Sequence, residues 1–399
     1  MSGEILGVIL IIVAFLGVNL AFGLIGHRIG RHTVDDYFLA GRAVGPFVLF
    51  FTLIATNFSA FFFLGFAGAG YRIGYSYYGI MSFGTALVAL AFYFLGDKAW
   101  RLGKRHGYVT PPEMIGDLLG SKTLKLVYAA VMVFFTLPYL AIQPIGAGIL
   151  LSNLTEHTIP YFGGAVALTV IIVLYVFVGG MRSVAWTDVF QGILMFIVMS
   201  IAVFYIADAF GGLTAANQKV FEMKPELFSR QGAGAFFTPK LWFSYMVLWI
   251  MCVPMFPQVF MRFFIARSVR PIQVTAMLFP LVTAVLFICP IIIGIIGHIP
   301  FPNLAGTESD NILPMMLANY APGWLAALIM VGALAAFMST MDSQLLALSS
   351  ILTRDVYLGF LKKQADQEKQ FALGRILIAL LAVIGLPIAY QPADTRFAI

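Results

Sequence analysis

The chain has 399 residues, of which 61% are hydrophobic and only 11% are charged. Soluble proteins have about 25% charged residues, so this composition excludes an ordinary water-soluble protein. The net charge of +6 could suggest a nucleic-acid-binding protein, but the basic residues lie between apolar segments, and membrane topology explains them without nucleic acid. Cys252 and Cys289 lie in apolar segments and form neither a disulfide framework nor a zinc motif.

Apolar runs of about 20 residues are long enough to cross a bilayer as helices, and they predict an all-α polytopic membrane protein. The first run begins close to Met1 without a basic segment or a cleavage motif, so we interpret it as a retained helix and not as a signal peptide. In chain order the ten expected spans are residues 5–26, 47–70, 78–96, 126–151, 161–179, 189–210, 241–265, 274–299, 324–352 and 376–390.

Eighteen of the 24 Lys and Arg residues fall on one side of these spans. Because cytoplasmic loops are enriched in Lys and Arg, we assign that side to the cytoplasm and expect the N-terminus outside the plasma membrane. Arg262 is counted on the cytoplasmic side, with Arg267 and Arg270. The other side carries two longer loops, 211–240 and 300–322, and the second loop is expected to hold a short helix at 312–319.

Two of the predicted spans contain signals for an interrupted helix. Residues 55–60 of the second span combine poor helix formers with three polar side chains, and the seventh span contains Pro254 and Pro257. Interrupted helices at corresponding positions of two halves indicate a transporter binding site, because the freed carbonyls can bind cations. A simple proline kink, which is common in membrane helices, is the alternative for either segment alone.

The ninth span carries polar residues in its middle. A carboxylate at membrane depth costs roughly 2.5–3.5 kcal/mol, so Asp342 needs partners. Helical spacing puts the carbonyl of Ala336 on one face with nearby hydroxyls, and an all-oxygen face suits a small hard cation. The alternative is that the hydroxyls bond to their own helix. The hydroxyls on this face belong to Ser339, Thr340 and Ser343.

Five segments stand out in chain order, namely residues 35–42, 55–70, 179–188 with Gln191, 257–262 and 338–344. Taken together they resemble the sodium:solute symporter family, which includes sodium-coupled proline, pantothenate, monocarboxylate, sialic acid and sugar transporters. The resemblance covers essentially the whole chain and implies an inverted-repeat leucine-transporter fold with one extra N-terminal helix. The implied division is 1–45 for the extra helix and its loop, 46–212 for the first five-helix repeat and 213–399 for an incomplete second repeat.

The resemblance implies a sodium site that coincides with the oxygen face of the ninth span. Its ligands would be three carbonyls and two hydroxyls, and sodium would be the coupling ion. The implied ligands are the carbonyls of Ala55, Phe58 and Ala336 and the hydroxyls of Ser339 and Thr340.

Some family members hold a second sodium ion, and here the matching positions are Asp188 and Ser343. Asp342 stands beside them where those members have a Ser. An extra carboxylate could strengthen cation binding or carry a proton, so the number of sodium ions stays open. For Asp188 the alternative is a residue at a helix start, favoured there by the helix dipole.

The solute is expected beside the two broken helices. Asn57 stands where proline-type members have an Asp, which weakens a proline assignment. Phe62 stands where the galactose carrier has a sugar-binding Gln, and the core lacks the charged residues of that carrier, so a small, partly apolar anion or zwitterion fits better than a sugar. For each aromatic residue, packing or lipid contact is the alternative. The candidate substrate-binding residues are Asn57, Phe61, Phe62, Gln143, Trp249 and Gln258.

These features predict a sodium-coupled symporter that imports a small organic solute, such as a monocarboxylate or an amino acid, and that is not an enzyme. Its partners would be the solute, sodium and membrane lipid. A transporter-like sensor domain and a non-functional symporter fragment are the alternatives, since family members continue beyond Ile399. We expect the tenth core helix to be absent and the 399 residues alone to transport poorly. An intramembrane enzyme using Asp188 and Asp342 is a further alternative, but the sequence lacks a Gly-x-Gly-Asp pair, a Ser–His pair and a zinc motif.

Overall fold

The computed structural model describes residues 3–30, 33–361 and 366–390. Long apolar helices dominate these residues, and we number them in chain order. Helices α2 and α7 each consist of two halves, a and b, and the stretch Tyr161–Asp208 holds both α5 and α6. The helices are α1 (Gly3–Ile29), α2a (Pro46–Asn57), α2b (Phe61–Ile73), α3 (Tyr75–His106), α4 (Lys122–Leu154), α5 (161–179), α6 (181–208), α7a (Pro239–Met255), α7b (Pro257–Ile265), α8 (Val269–Ile296), α9 (Gly323–Phe360) and α10 (Gln367–Tyr390).

The stretch Tyr161–Asp208 has 48 residues, about 72 Å of helix at 1.5 Å per residue, which is too long for one crossing of a core about 30 Å thick. Gly180 breaks it, with φ 56° and ψ −146°. Ser183 Oγ donates to Gly23 O at 2.5 Å, and Tyr175 also packs against Gly23, so the chain turns sharply between them. Residues 181–188, which we predicted as a loop, are helical, because the single glycine makes the turn.

Counting each bent pair as one span, and α5 and α6 as two, gives the ten predicted spans in the described part of the chain. The two predicted breaks are also present. The halves of α2 are bent by 61° and those of α7 by 54°. The backbone is extended at Phe58 (φ −94°, ψ 106°) and turns at Phe256 (φ −58°, ψ 131°), just before Pro257 starts the next half-helix.

Helix α9 lies at the centre of the bundle. Within an apolar stretch of 18 residues in each helix, 89% of the residues of α9 are buried, against 22% in α1 and 28% in α10. The polar residues of α9 are therefore enclosed by protein and not exposed to lipid. The division at 212/213 into two repeats stays a prediction.

A short parallel β-bridge joins the segment before α2a to the segment after α7b. Val44 N donates to Ile265 O at 3.1 Å, and Arg267 N donates to Val44 O at 3.0 Å. The start of α2a and the end of α7b therefore lie side by side at one end of the bundle.

At the opposite end of α2, an ion pair and a hydrogen bond connect the loop after α8 to the end of α2b. Arg72 Nη1 is 2.8 Å from Asp310 Oδ1, and Tyr71 OH donates to Phe301 O at 2.5 Å. The loop contains the helix Ile312–Tyr320, close to the predicted 312–319. Its apolar side is buried, so it covers the bundle and contributes to the core.

His298 in this loop makes stability depend on pH. Burial lowers the pKa of His298 from 6.5 to about 4, and its Nε2–H donates to Tyr71 O at 2.7 Å. As the pH falls from about 6.5 towards 4, the unfolded chain gains a proton that the folded chain lacks, so the stabilisation is lost, at about 1.4 kcal/mol per unit of pKa displacement. We expect His298→Gln to remove this acid loss in thermal unfolding measured across pH 4–7.

Asp310 acts in the opposite direction, because burial raises its pKa to about 6 and protonation then favours the folded state. This contribution is common to the unmodified chain and the His298 variant, so the difference between their curves isolates His298. His106→Gln, at an exposed position, is the matched control and should follow the unmodified chain. Superimposed curves for the unmodified chain and His298→Gln would contradict the prediction.

Candidate functional site

Three carbonyls and two hydroxyls converge where the break in α2 meets the middle of α9. Ser339 Oγ lies 2.9 Å from Ala55 O and 3.1 Å from Ala336 O. Thr340 Oγ1 lies 3.1 Å from Phe58 O. All five residues are buried. The structure thus brings together the complete set that the sequence suggested for sodium.

The chemistry of this cluster fits a monovalent hard cation. The helix break exposes carbonyls at the end of α2a, and such unwound carbonyls are common ligands of coupling ions. All donors in the cluster are oxygens, as hard cations prefer, and none is charged. Elsewhere among residues 3–30, 33–361 and 366–390, no group of three or more His, Cys, Asp or Glu residues could hold a metal ion.

Arg262 corrects one expectation from the sequence. We counted it on the cytoplasmic side, but it lies on α7b with no exposed surface. Its Nη2 is 3.0 Å from Asp188 Oδ2 and 2.5 Å from Ser343 Oγ, and its Nε donates to Thr52 O at 3.1 Å. The available signal was its position inside the apolar run 259–265, because such a run is usually buried.

The candidate residues for a second sodium ion form one buried cluster with Arg262. Tyr175 OH donates to Asp342 Oδ2 at 2.6 Å, and Ser343 Oγ lies 2.9 Å from Asp342 Oδ1. Asp188 accepts a hydrogen bond from Thr52 Oγ1. Asp188 lies two turns after the break at Gly180, so it does not start a helix, as the alternative interpretation required.

A cavity of about 670 Å³ lies beside the two broken helices. Trp249 and Gln258 line this cavity, and Trp249 Nε1 and Gln258 Oε1 are buried without a hydrogen-bond partner in the described residues. The lining contains no Asp, Glu, Lys, Arg or His residue. Five of the six predicted substrate-binding residues line it, namely Asn57, Phe61, Phe62, Trp249 and Gln258.

The sixth candidate, Gln143, lies elsewhere and supports the broken helix. Its Oε1 accepts a hydrogen bond from Ala60 N at 3.1 Å, and its Nε2 donates to Tyr139 O at 3.2 Å. It therefore satisfies a main-chain donor at the start of α2b. Sequence reasoning missed the lining residues Ser59 and Phe287; Ser59 was visible as part of the predicted break, whereas Phe287 had no signal beyond its apolarity.

Comparisons with protein families and with curated proteins both find similarity to sodium-coupled symporters. The model of the sodium:solute symporter family matches residues 37–398. The sodium/pantothenate symporter of Escherichia coli (strain K12) is 28% identical over 394 residues, which cover 98% of this chain and 80% of that protein. The sodium/proline symporter of the same organism is 29% identical over 407 residues, covering 93% of this chain and 75% of that protein.

Two solved structures share the fold. A sodium-coupled sialic acid symporter, in a substrate-bound outward-open state, aligns with a TM-score of 0.84 at 19% identity, covering 97% of this chain and 81% of that one. A nucleobase-cation-symport-1 family transporter, in a closed conformation with bromovinylhydantoin bound, aligns with a TM-score of 0.62 at 14% identity, covering 89% and 74%. The all-α, leucine-transporter fold predicted from the sequence is confirmed.

Proposed function

This chain belongs to the sodium:solute symporter family, and from that membership we propose that it imports a small, partly apolar organic anion by alternating access. It is a multi-pass membrane protein that couples sodium to a small-molecule solute, and its family relatives are transporters, not enzymes. The placement in the plasma membrane, with the N-terminus outside, is part of the proposal and is supported by the Lys and Arg asymmetry.

The observation that carries the sodium part of the proposal is the oxygen cluster between α2a and α9. A bound sodium ion would supply one positive charge for the five oxygens to share. Ser339 and Thr340 belong to α9, whereas Ala55 lies in the last turn of α2a and Phe58 in the break that follows it. These residues therefore join two helices from the two proposed repeats, 46–212 and 213–399, whose relative movement alternating access requires.

The lining of the cavity supports an anion with an apolar body. Most of its surface comes from aromatic and aliphatic side chains, such as Phe61, Phe62 and Phe287, and these suit an apolar group. Helix α7b begins at the cavity with Pro257 and Gln258 in its lining, and the positive end of a helix favours a carboxylate. A zwitterionic amino acid would bring an ammonium group for which the lining has no carboxylate.

A thermal-shift screen tests this proposal. We expect monocarboxylates to raise the melting temperature in the presence of sodium, because a ligand at 100 times its Kd stabilises the folded state by about 2.7 kcal/mol. Gln258→Leu removes the side-chain amide, whose N–H group can donate to a carboxylate. It should weaken the solute-induced shift, by roughly tenfold in affinity for a lost hydrogen bond near 1.4 kcal/mol, while the sodium-induced shift persists.

Gln218→Leu, on the exposed side of the helix Gly212–Met223, is the matched control and should behave like the unmodified chain. If amino acids raise the melting temperature and monocarboxylates do not, the solute is an amino acid and the proposal of an organic anion is wrong. Solute uptake that proceeds equally well without a sodium gradient would contradict the symport mechanism.

A further inference from the structure

A second cavity, of about 330 Å³, lies between the loop after α4 and the loop after α8. We call it the outer cavity, because the proposed topology places both loops outside the cell. Its volume accommodates several water molecules, at about 30 Å³ each, and therefore admits a hydrated ion. In contrast to the cavity beside the broken helices, much of its lining is polar and includes Ser152, Asn153, His157, Asp310 and Asn311.

Asp310 brings a carboxylate to the outer cavity, and only 6% of its side chain is exposed. Its Oδ1 is 2.8 Å from Arg72 Nη1, whereas Oδ2 is buried without a hydrogen-bond partner in the described residues. Such an oxygen costs free energy until it finds a partner, so Oδ2 requires a solvent molecule or a bound cation. The contact with Arg72 orients the carboxylate, as a second hydrogen bond commonly does for a carboxylate that binds a metal.

His157 brings an imidazole to the same cavity from the loop after α4. Its Nδ1 lies 2.9 Å from Ser152 Oγ, and its main-chain N donates to Ser152 O at 2.8 Å. In the arrangement in which Nδ1–H donates to the hydroxyl, Nε2 keeps its lone pair and can bind a metal ion. Histidines that bind metals nearly always have such a contact through their other nitrogen.

We propose that the outer cavity binds a divalent transition-metal ion such as zinc, with His157 and Asp310 as its protein ligands. Imidazole and carboxylate are the donors that zinc accepts besides thiolate. The amide oxygens of Asn153 and Asn311 and water complete the coordination. The site has two strong ligands, in agreement with the absence of larger groups of His, Cys, Asp and Glu from the described residues, so the ion exchanges with the medium.

The bound ion would connect α2b to the loop after α4. Asp310 lies directly against α2b, because a Cβ at Gly68 would collide with Asp310 Oδ1. The same half-helix lines the cavity beside the broken helices with Phe61 and Phe62. Zinc in the outer cavity would therefore restrain α2b relative to α4 from outside the cell. This regulation requires no contact with the proposed sodium or solute site, so it stands or falls independently of either.

Calorimetric titration of zinc into the purified, tag-free 399-residue chain tests the proposal. We expect saturable zinc binding that a hundredfold excess of calcium leaves in place, because calcium prefers oxygen ligands and gains little from an imidazole. Absence of zinc binding would overturn the proposal, since Oδ2 of Asp310 is then satisfied by solvent. Displacement of zinc by calcium would overturn the assignment to a transition metal.

His157→Asn assigns the binding to this cavity. Asparagine tolerates the left-handed backbone at this position, where φ is 62°, and its shorter side chain withdraws the ligand. We expect the Kd for zinc to rise at least about tenfold. His106→Asn, at an exposed position on the proposed cytoplasmic side, is the matched control and should keep the Kd of the unmodified chain. Equal Kd values for His157→Asn and the unmodified chain would overturn the proposal.

A measurement on the unmodified chain keeps the test decisive if His157→Asn fails to fold. Diethyl pyrocarbonate modifies imidazole nitrogens, and mass spectrometry reports the extent at each histidine. We expect zinc to slow the modification of His157, which is exposed, and to leave His106 unchanged. Modification of His157 at the same rate with and without zinc would overturn the proposal.

Discussion

Replacing Ser339 with alanine and Thr340 with valine is expected to weaken strongly the stabilisation of this protein by sodium. The double change removes two of the five oxygens of the cluster and leaves the carbonyls of Ala55 and Phe58 without their partners on α9. Each lost interaction is worth about 1–1.5 kcal/mol, so the sodium concentration for half-maximal effect should rise at least about tenfold. Sodium-dependent thermal unfolding measures this directly.

A matched control lies on the same helix. Ser350 Oγ donates to Leu346 O at 2.7 Å, so this hydroxyl bonds to its own helix and takes no part in the cluster. Ser350→Ala should retain the sodium response of the unmodified chain. If the Ser339/Thr340 double variant and Ser350→Ala respond equally to sodium, the oxygen cluster is not the sodium site.

Gly294→Ala is expected to be among the most destabilising single changes in the chain. A Cβ at Gly294 would lie 1.9 Å from Ala67 O, and this atom is main chain that no rotamer change can displace. Overpacking usually costs about 1–3 kcal/mol and occasionally more, and we expect a value at or above the upper end. The measurement is the melting temperature and the yield of monodisperse protein in detergent.

The contact is reciprocal, which supplies a second test. A Cβ at Gly70 would lie 2.6 Å from Ile291 O, so Gly70→Ala should also push α2b and α8 apart. Gly7→Ala is the matched control, because the space around Gly7 on α1 is open. Similar melting temperatures for Gly294→Ala and Gly7→Ala would show that α8 and α2b can separate at little cost.

Local chemistry explains why the convergence of these oxygens could be predicted. Pro257 and the poor helix formers around Phe58 mark the breaks in the sequence itself, and helical spacing alone places Ser339 on the same face as the Ala336 carbonyl. These signals depend on residues a few positions apart. The contribution of the Ala55 and Phe58 carbonyls, on the opposite side of the cluster, followed only from the family resemblance.

The rest of the site depends on contacts between distant parts of the chain. Arg262 was assigned by loop charge, and its burial follows from Asp188 and Ser343, which are 74 and 81 residues away. The aromatic residues were ambiguous for another reason. Phe287 lines the cavity, whereas Phe134 is 70% exposed on the outside of the bundle, and the local sequence around the two residues does not distinguish them.

The β-bridge between Val44 and Ala266 bears on how the cavity can open at that end of the bundle. The segment that contains Val44 leads into α2a, and the segment that contains Ala266 follows α7b. Two main-chain hydrogen bonds hold the strands in register, and side-chain changes do not remove them. A tilt of α2a should therefore move α7b in the same direction, so that the two half-helices open or close this end of the bundle together.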